Sequence, residues 1–273
     1  MKLKDKVAVV TGTSPNIGGG IAEGLAAAGA ALVCVDATPA NATDCANYLS
    51  GSGGRAIGIT CDVCDEGQVA AAVDKACETF GQVDVLVNNA VIFNKKGVLN
   101  MPLDEWRKQI DVILTGTFLF TKYAAQSMID RGVKGSIINI VSTAGHQGEP
   151  GNIAYSTAKS GLLNFTRSAA MELVRHGIRV NSLTPTATDP TEAAERAAAG
   201  AGLRDLSPPR SHAEIAPAQR LRPGRGVHGV VRRRHDDGHR SAHRRGRRGA
   251  LLGMGPQQLI QTWRKTLLPS SQR

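Results

Sequence analysis

The chain has 273 residues, 41% of them hydrophobic, and a formal net charge of +10. That length is enough for one large α/β domain with a sizeable core, and no apolar run is long enough to span a bilayer. The charge is uneven, which excludes a uniformly basic surface: residues 1–203 hold 17 Lys+Arg against 19 Asp+Glu, whereas residues 204–248 hold 13 Arg and 4 acids.

The opening Met1-Lys-Leu-Lys-Asp-Lys6 lacks the apolar core of a signal peptide. Five cysteines, an odd number, suit reduced thiols, so a cytoplasmic protein is expected. Cys61-Asp-Val-Cys64 has redox or zinc spacing but no second ligand pair, so strand-end cysteines and no metal are expected. Lys6 to Val10 reads as a short buried strand, followed by Thr11-Gly-Thr-Ser-Pro-Asn-Ile-Gly-Gly-Gly20 and a helical run from Ile21 to Ala28. A glycine-rich turn between strand and helix lets backbone N–H groups meet a pyrophosphate. Such turns also occur for packing alone, and the spacing is not the plain G-x-G-x-x-G. The next strand, Ala31 to Val35, ends in Asp36, 24 residues after Gly12. A carboxylate there accepts hydrogen bonds from an adenine ribose 2′-OH and repels a 2′-phosphate, which favours NAD over NADP. The plain alternative is a turn or capping Asp.

Further strands are expected over Ala56 to Cys61, Val83 to Val87, Gly135 to Val141 and Ile178 to Leu183. Helices are expected over Glu66 to Phe80, over Trp106 to Ile129 as one piece, and from the Tyr155 region to about His176. This alternation argues an α/β fold, a doubly wound parallel sheet in three layers with helices on both faces. Ligands of such sheets lie at the carboxyl ends of the strands. Gly12 to Gly20, Asp36, Asp62, Asn89 and Ser142 all fall at such ends. Tyr155 and Lys159 stand four apart on one helix face, with Ser142 thirteen residues before the tyrosine. A cation beside a phenol lowers its pKa, so that it can exchange a proton with a carbonyl or hydroxyl oxygen that Ser142 also bonds. A solvent-facing Tyr and Lys on an amphipathic helix is the plain alternative.

Residues 1 to about 190 resemble a short-chain dehydrogenase/reductase with a single, Rossmann-like nucleotide-binding domain. The likeness rests on T-G-x-x-x-x-I-G, Asp36, Asp62-Val63, Asn88-Asn89-Ala90, Ser142, Tyr155-x-x-x-Lys159 and Ile178-Arg-Val-Asn-Ser-Leu-Thr-Pro185. It implies an NAD-dependent oxidoreductase interconverting a secondary alcohol and a ketone, with a small-molecule substrate for which a bulky apolar alcohol is the expectation. Tyr155 would be the acid/base, Lys159 would lower its pKa and bind the nicotinamide ribose, and Ser142 would orient the substrate oxygen. Gly12, Asn16, Ile17, Gly18, Asp36, Asp62, Val63 and Asn89 would line the NAD site with Tyr155 and Lys159. A homo-oligomer, commonly a tetramer, is also implied. Four positions depart from the pattern: Asn16, Val91 and Thr186 stand where glycine is usual, and Ile113 where Asn commonly supports a water relay to the lysine. Asn16 is expected to keep the turn because Asn tolerates the left-handed region.

Thr191 to Ala201 could be a substrate-covering helix, after which the family pattern fails. Residues 1–203 are therefore read as the NAD-binding catalytic domain and 204–273 as an atypical basic segment. Arg204 to Arg248 is rich in Arg, His and Gly and has no Phe, Tyr or Trp for base stacking. One legal codon choice for Val231 to Arg248, read one nucleotide later, yields F-V-A-G-T-T-M-V-T-G-A-H-T-V-E-A-G-G, similar to the family's end. A frameshifted end is preferred to a disordered arm, and both to an evolved nucleic-acid site. The competing function is a dinucleotide-binding protein with impaired catalysis whose basic arm binds polyanions.

Overall fold

The protein's structure, a computed structural model, describes residues 2–185. The expected helix at Thr191 to Ala201, the departure at Thr186 and the segment 204–273 lie outside the described residues. Six strands run in chain order: β1 (Val7–Thr11), β2 (Ala31–Asp36), β3 (Ala56–Thr60), β4 (Val85–Asn88), β5 (Ser136–Ile140) and β6 (Arg179–Leu183). Every pairing is parallel, in the order β3-β2-β1-β4-β5-β6. Strand order reverses between β1 and β4, and at such a reversal the flanking connections part to opposite sides, opening a crevice.

The apolar pattern explains why the sheet is covered twice. Val7, Val9, Val33 and Val35 enter one core, while Ala8, Val10, Leu32 and Cys34 enter the other. Alternate residues of a strand point to opposite faces, so strands apolar throughout need helices on both. The first core is closed by α3 (Glu66–Phe80), α5 (Gly116–Asp130) and α6 (Ile153–Leu173), the second by α1 (Ile17–Ala27) and α2 (Pro39–Gly51). Helix α2 is not among those expected from the sequence. Only Ala42, Ala46 and Leu49 of that helix are buried, so its apolar stripe is thin, and Pro39 in the first turn is its main start signal.

The helix expected over Trp106 to Ile129 is α4 (Leu103–Ile110), a π-helical segment Asp111–Thr115, and α5. Two features bear on the interruption. A Cβ on Gly116 would lie 2.6 Å from Val63 Cγ2, so the chain passes hard against the β3 end there. The Thr117 hydroxyl also donates to the Ile113 carbonyl at 2.7 Å. At the opposite, amino edge of the sheet, buried Asp84 accepts the Val7 N–H (2.9 Å), the Lys6 ammonium (2.8 Å) and the Gln82 amide (2.8 Å). That ties the start of β1 to β4. Among the described residues no helix is long and apolar enough to cross a membrane.

Candidate active site

The turn after β1 is shaped by close approach. Gly12 has φ +71°, and a Cβ there would lie 2.8 Å from Ala90 Cα. A Cβ on Gly18 would fall 1.8 Å from the Gly12 carbonyl oxygen, so α1 can begin there only without a side chain. Asn89 holds the turn from the β4 end, its amide donating to the Thr11 and Gly12 carbonyls at 3.0 and 2.8 Å. The Asn89 and Ala90 N–H groups both donate to the Thr11 hydroxyl. Asn89 therefore builds the turn from within. Asn16 is the N-cap of α1 with φ −140°, so the left-handed tolerance expected of it is not used. The glycine freedom resides at Gly12 and Gly18 instead. Asn16 and its neighbour Ile17 sit at the mouth of the helix N-terminus, where no side chain caps the first turn.

Asp36 closes β2, and its Oδ1 accepts the Thr38 N–H at 2.9 Å and the Asn41 amide at 3.2 Å. The carboxylate is thus both a turn former and oriented at the sheet's carboxyl edge. After β3, Asp62 Oδ1 accepts the Cys64 N–H (2.9 Å), and Val63 is buried under Gly116. Burial and the Asp62 charge push the Cys61 and Cys64 thiols up to about 12, and among the described residues no cluster could hold a metal.

Ser142 follows β5 and caps the single 3-10 turn Thr143–Gly145, its Oγ accepting the Ala144 N–H at 3.2 Å. A Cβ on Gly145 would lie 2.8 Å from the Lys159 backbone, so this turn lies directly on α6. Tyr155 and Lys159 stand one turn apart on α6, and the Ser142 hydroxyl, facing the Tyr155 phenol, favours its ionised form. The structure thereby brings Ser142, Tyr155 and Lys159 together. Burial raises the phenol's pKa; the Ser142 hydrogen bond works against this and the Glu149 carboxylate adds to it. The expected depression by Lys159 is not what governs the phenol here. The Lys159 ammonium lies 5.7 Å from the Tyr155 ring centroid and donates to the Ile140 carbonyl at 2.6 Å. Lys159 is only 3% exposed, and burial lowers its pKa to about 8.

Ile113 is fully buried with Val141, Ala158 and Leu162, against Tyr155 and Phe165. An apolar plug therefore occupies the place where the family commonly has a water-relay Asn.

Three features were not legible in the sequence. Phe93 meets Tyr155 edge to face, ring centroids 4.9 Å apart. It lies on a segment braced by Asn94 and Lys96, both bound to Glu105, and by Gln109 donating to Asn94. Glu149 acts on the phenol through its charge. Asn88 donates to Thr121 (3.1 Å) and Asn139 (2.9 Å), and Asn139 donates to Thr166 (2.9 Å). That buried chain links α5, β4, β5 and α6 and fixes where Tyr155 and Lys159 stand. An Asn inside an apolar run signals such a network, but its partners become neighbours only in the fold.

The sequence profile of the short chain dehydrogenase family matches residues 6–201. The cis-4-hydroxycyclohexanecarboxylate dehydrogenase of Sinomonas cyclohexanicum is 42% identical over 186 residues, covering 68% of this chain and 74% of that protein. The galactitol 2-dehydrogenase of Agrobacterium fabrum is 37% identical over 189 residues, covering 69% and 73%. Among solved structures, an NAD+-bound xylitol dehydrogenase superposes with TM-score 0.68 and 32% identity, covering 72% of this chain and 76% of that one.

Proposed function

The chain belongs to the short-chain dehydrogenase family, and from that premise we propose that it is an NAD-dependent oxidoreductase interconverting a secondary alcohol and a ketone. The observation that carries the reading is the meeting of Ser142, Tyr155 and Lys159 at the same sheet edge as the Gly12–Gly18 cradle. The cradle fits a dinucleotide because two backbones approach where a single Cβ would block them. Gly12, Asn16, Ile17, Gly18, Asp36, Asp62, Val63 and Asn89, with Tyr155 and Lys159, would hold it. NAD, when bound, supplies the hydride acceptor or donor.

This chain's own residues supply orientation and the proton. Ser142 and Tyr155 converge on the place where a substrate oxygen would share their hydroxyls. With its pKa raised, Tyr155 is protonated at neutral pH, suited to giving a proton to the oxygen of a ketone. For alcohol oxidation it must first lose that proton. Lys159, mostly protonated at neutral pH, opposes the burial that holds the phenol's proton in place. Phe93 beside the phenol, with the exposed Val91 near it in sequence, supports an apolar approach for the alcohol or ketone. The five free thiols are compatible with a cytoplasmic setting.

The test is NADH formation with a panel of alcohols. Tyr155→Phe should remove most turnover yet leave NADH binding nearly intact, because only the proton donor is lost; turnover near wild type would sink the assignment. Asp36 supports NAD as the cofactor, so kcat/KM should favour NAD over NADP and Asp36→Ala should narrow the gap. An unmodified protein preferring NADP would refute that role.

A further inference from the structure

The segment between β4 and α4 has its polar side chains tied to α4. Glu105, in the first turn of α4, takes the Asn94 amide on one carboxylate oxygen and the Lys96 ammonium on the other, the latter at 2.5 Å. Gln109 stands one turn further along the same helix face and donates to Asn94 Oδ1 at 2.6 Å, so the Asn94 amide is held at both ends. The Lys96 carbonyl accepts the Ile153 N–H at 3.2 Å, which ties the same segment to the start of α6. Phe93, the residue before Asn94, is placed differently. Its ring meets Tyr155 edge to face, with centroids 4.9 Å apart, and the residue is still 50% exposed.

We propose that Glu105 is a positioning residue of the active site: its clamp on Asn94 and Lys96 holds the Phe93 ring beside Tyr155, where the ring selects secondary alcohols that carry an aromatic group on the carbinol carbon. The selectivity rests on the proposed alcohol–ketone reading; the clamp does not. With Asn94 and Lys96 both engaged by α4, the segment meets the phenol with an aromatic ring, not with an amide or an ammonium. A substrate's apolar group laid on the exposed part of Phe93 leaves water as it binds, and an aromatic group gains a ring contact besides. The ring also keeps water from the phenol. Its withdrawal would hydrate Tyr155 and make the phenol ionise more readily, since burial is what holds its proton. The other charged groups acting near the phenol, Lys159 on α6 and Glu149 before it, do not belong to the clamp. Both side chains of the Lys96–Glu105 pair are 34% exposed, and ion pairs open to water add little to stability. Loss of Glu105 therefore registers in the site rather than in the melt.

The experiment compares Glu105→Ala, Phe93→Ala and the double variant of the full chain in NAD-dependent oxidation of 1-phenylethanol and isopropanol. The unmodified protein should favour 1-phenylethanol; without that preference the selectivity is overturned. Either single variant should cut the preference in kcat/KM by about threefold to tenfold, the worth of an aromatic contact. The double variant should lose no more than Phe93→Ala, because Glu105 acts through the ring. Glu105→Gln keeps an acceptor for Asn94 and should restore part of the preference, while NAD affinity stays unchanged in each variant. Losses that multiply in the double variant, or a preference untouched by Glu105→Ala, would overturn the positioning role. A second readout needs no turnover. In protein carrying fluorotyrosine, the fluorine NMR signal of Tyr155, identified by its loss in Tyr155→Phe, should titrate at lower pH in Phe93→Ala and Glu105→Ala, and no lower still in the double variant. A further drop there would reveal a direct charge effect of Glu105 and overturn the clamp, as would a titration unmoved by Glu105→Ala. An unmodified protein that oxidises no alcohol of a panel refutes the proposed function and leaves that titration readable.

Discussion

Lys159→Met should make the protein more stable while removing its activity. Lys159 is buried with its pKa lowered to about 8 from an ordinary 10.5. That gap corresponds to about 3 kcal/mol that the fold loses by keeping the ammonium charged at neutral pH. Methionine has nearly the same length and volume and no charge. Its cost is the lost hydrogen bond to the Ile140 carbonyl, about 1–2 kcal/mol if the oxygen stays unpaired. A net gain of about 1–2 kcal/mol follows, or a rise in Tm of a few degrees. The pH dependence fixes the cause. Because the folded value lies below the unfolded one, the penalty in the wild type is present in full below about pH 8 and disappears as pH climbs toward 10.5. The variant's advantage should therefore be greatest at neutral pH and shrink in alkaline buffer. Urea denaturation of both proteins at neutral and alkaline pH measures this. A variant less stable at pH 7, or a difference indifferent to pH, would show that burial of the ammonium is not the governing effect.

Ser142→Ala removes the hydrogen bond that works against burial at Tyr155, so the pH profile of alcohol oxidation should move to higher pH as its rate falls. Glu149→Gln removes a negative charge near the same phenol and should move the profile the other way, by less, since the exposed carboxylate is screened by salt. Movement of both profiles in one direction would contradict the assigned causes. Gly18→Ala places a methyl group 1.8 Å from the Gly12 carbonyl; thermal melts and NAD titration should show a loss of about 1–3 kcal/mol or more and a large drop in affinity. An alanine variant that melts and binds like wild type would mean the turn is not tight.

Much of this fold is written in local pattern. Continuous apolar strands such as Val7–Thr11 and Ala31–Asp36 alternate with helical periodicity, which dictates a parallel sheet covered on both faces. The Glu66–Phe80 helix is legible to the residue because Asp65 caps it, accepting the Gln68 N–H, and its apolar spacing is regular. Tyr155 and Lys159 sit one turn apart wherever the helix lies, so their pairing follows from spacing alone. Other features depended on what the chain meets after folding. The π segment Asp111–Thr115 lies where Gly116 is pressed against Val63, and α2 lies close because Gly58 yields room, contacts between residues far apart in sequence. The protonation of the site was decided in the same way. Spacing places a cation beside a phenol, but only the tertiary structure turns the Lys159 ammonium to the Ile140 carbonyl and buries both groups. Desolvation depends on everything that surrounds a charge, and a linear sequence carries no record of those surroundings.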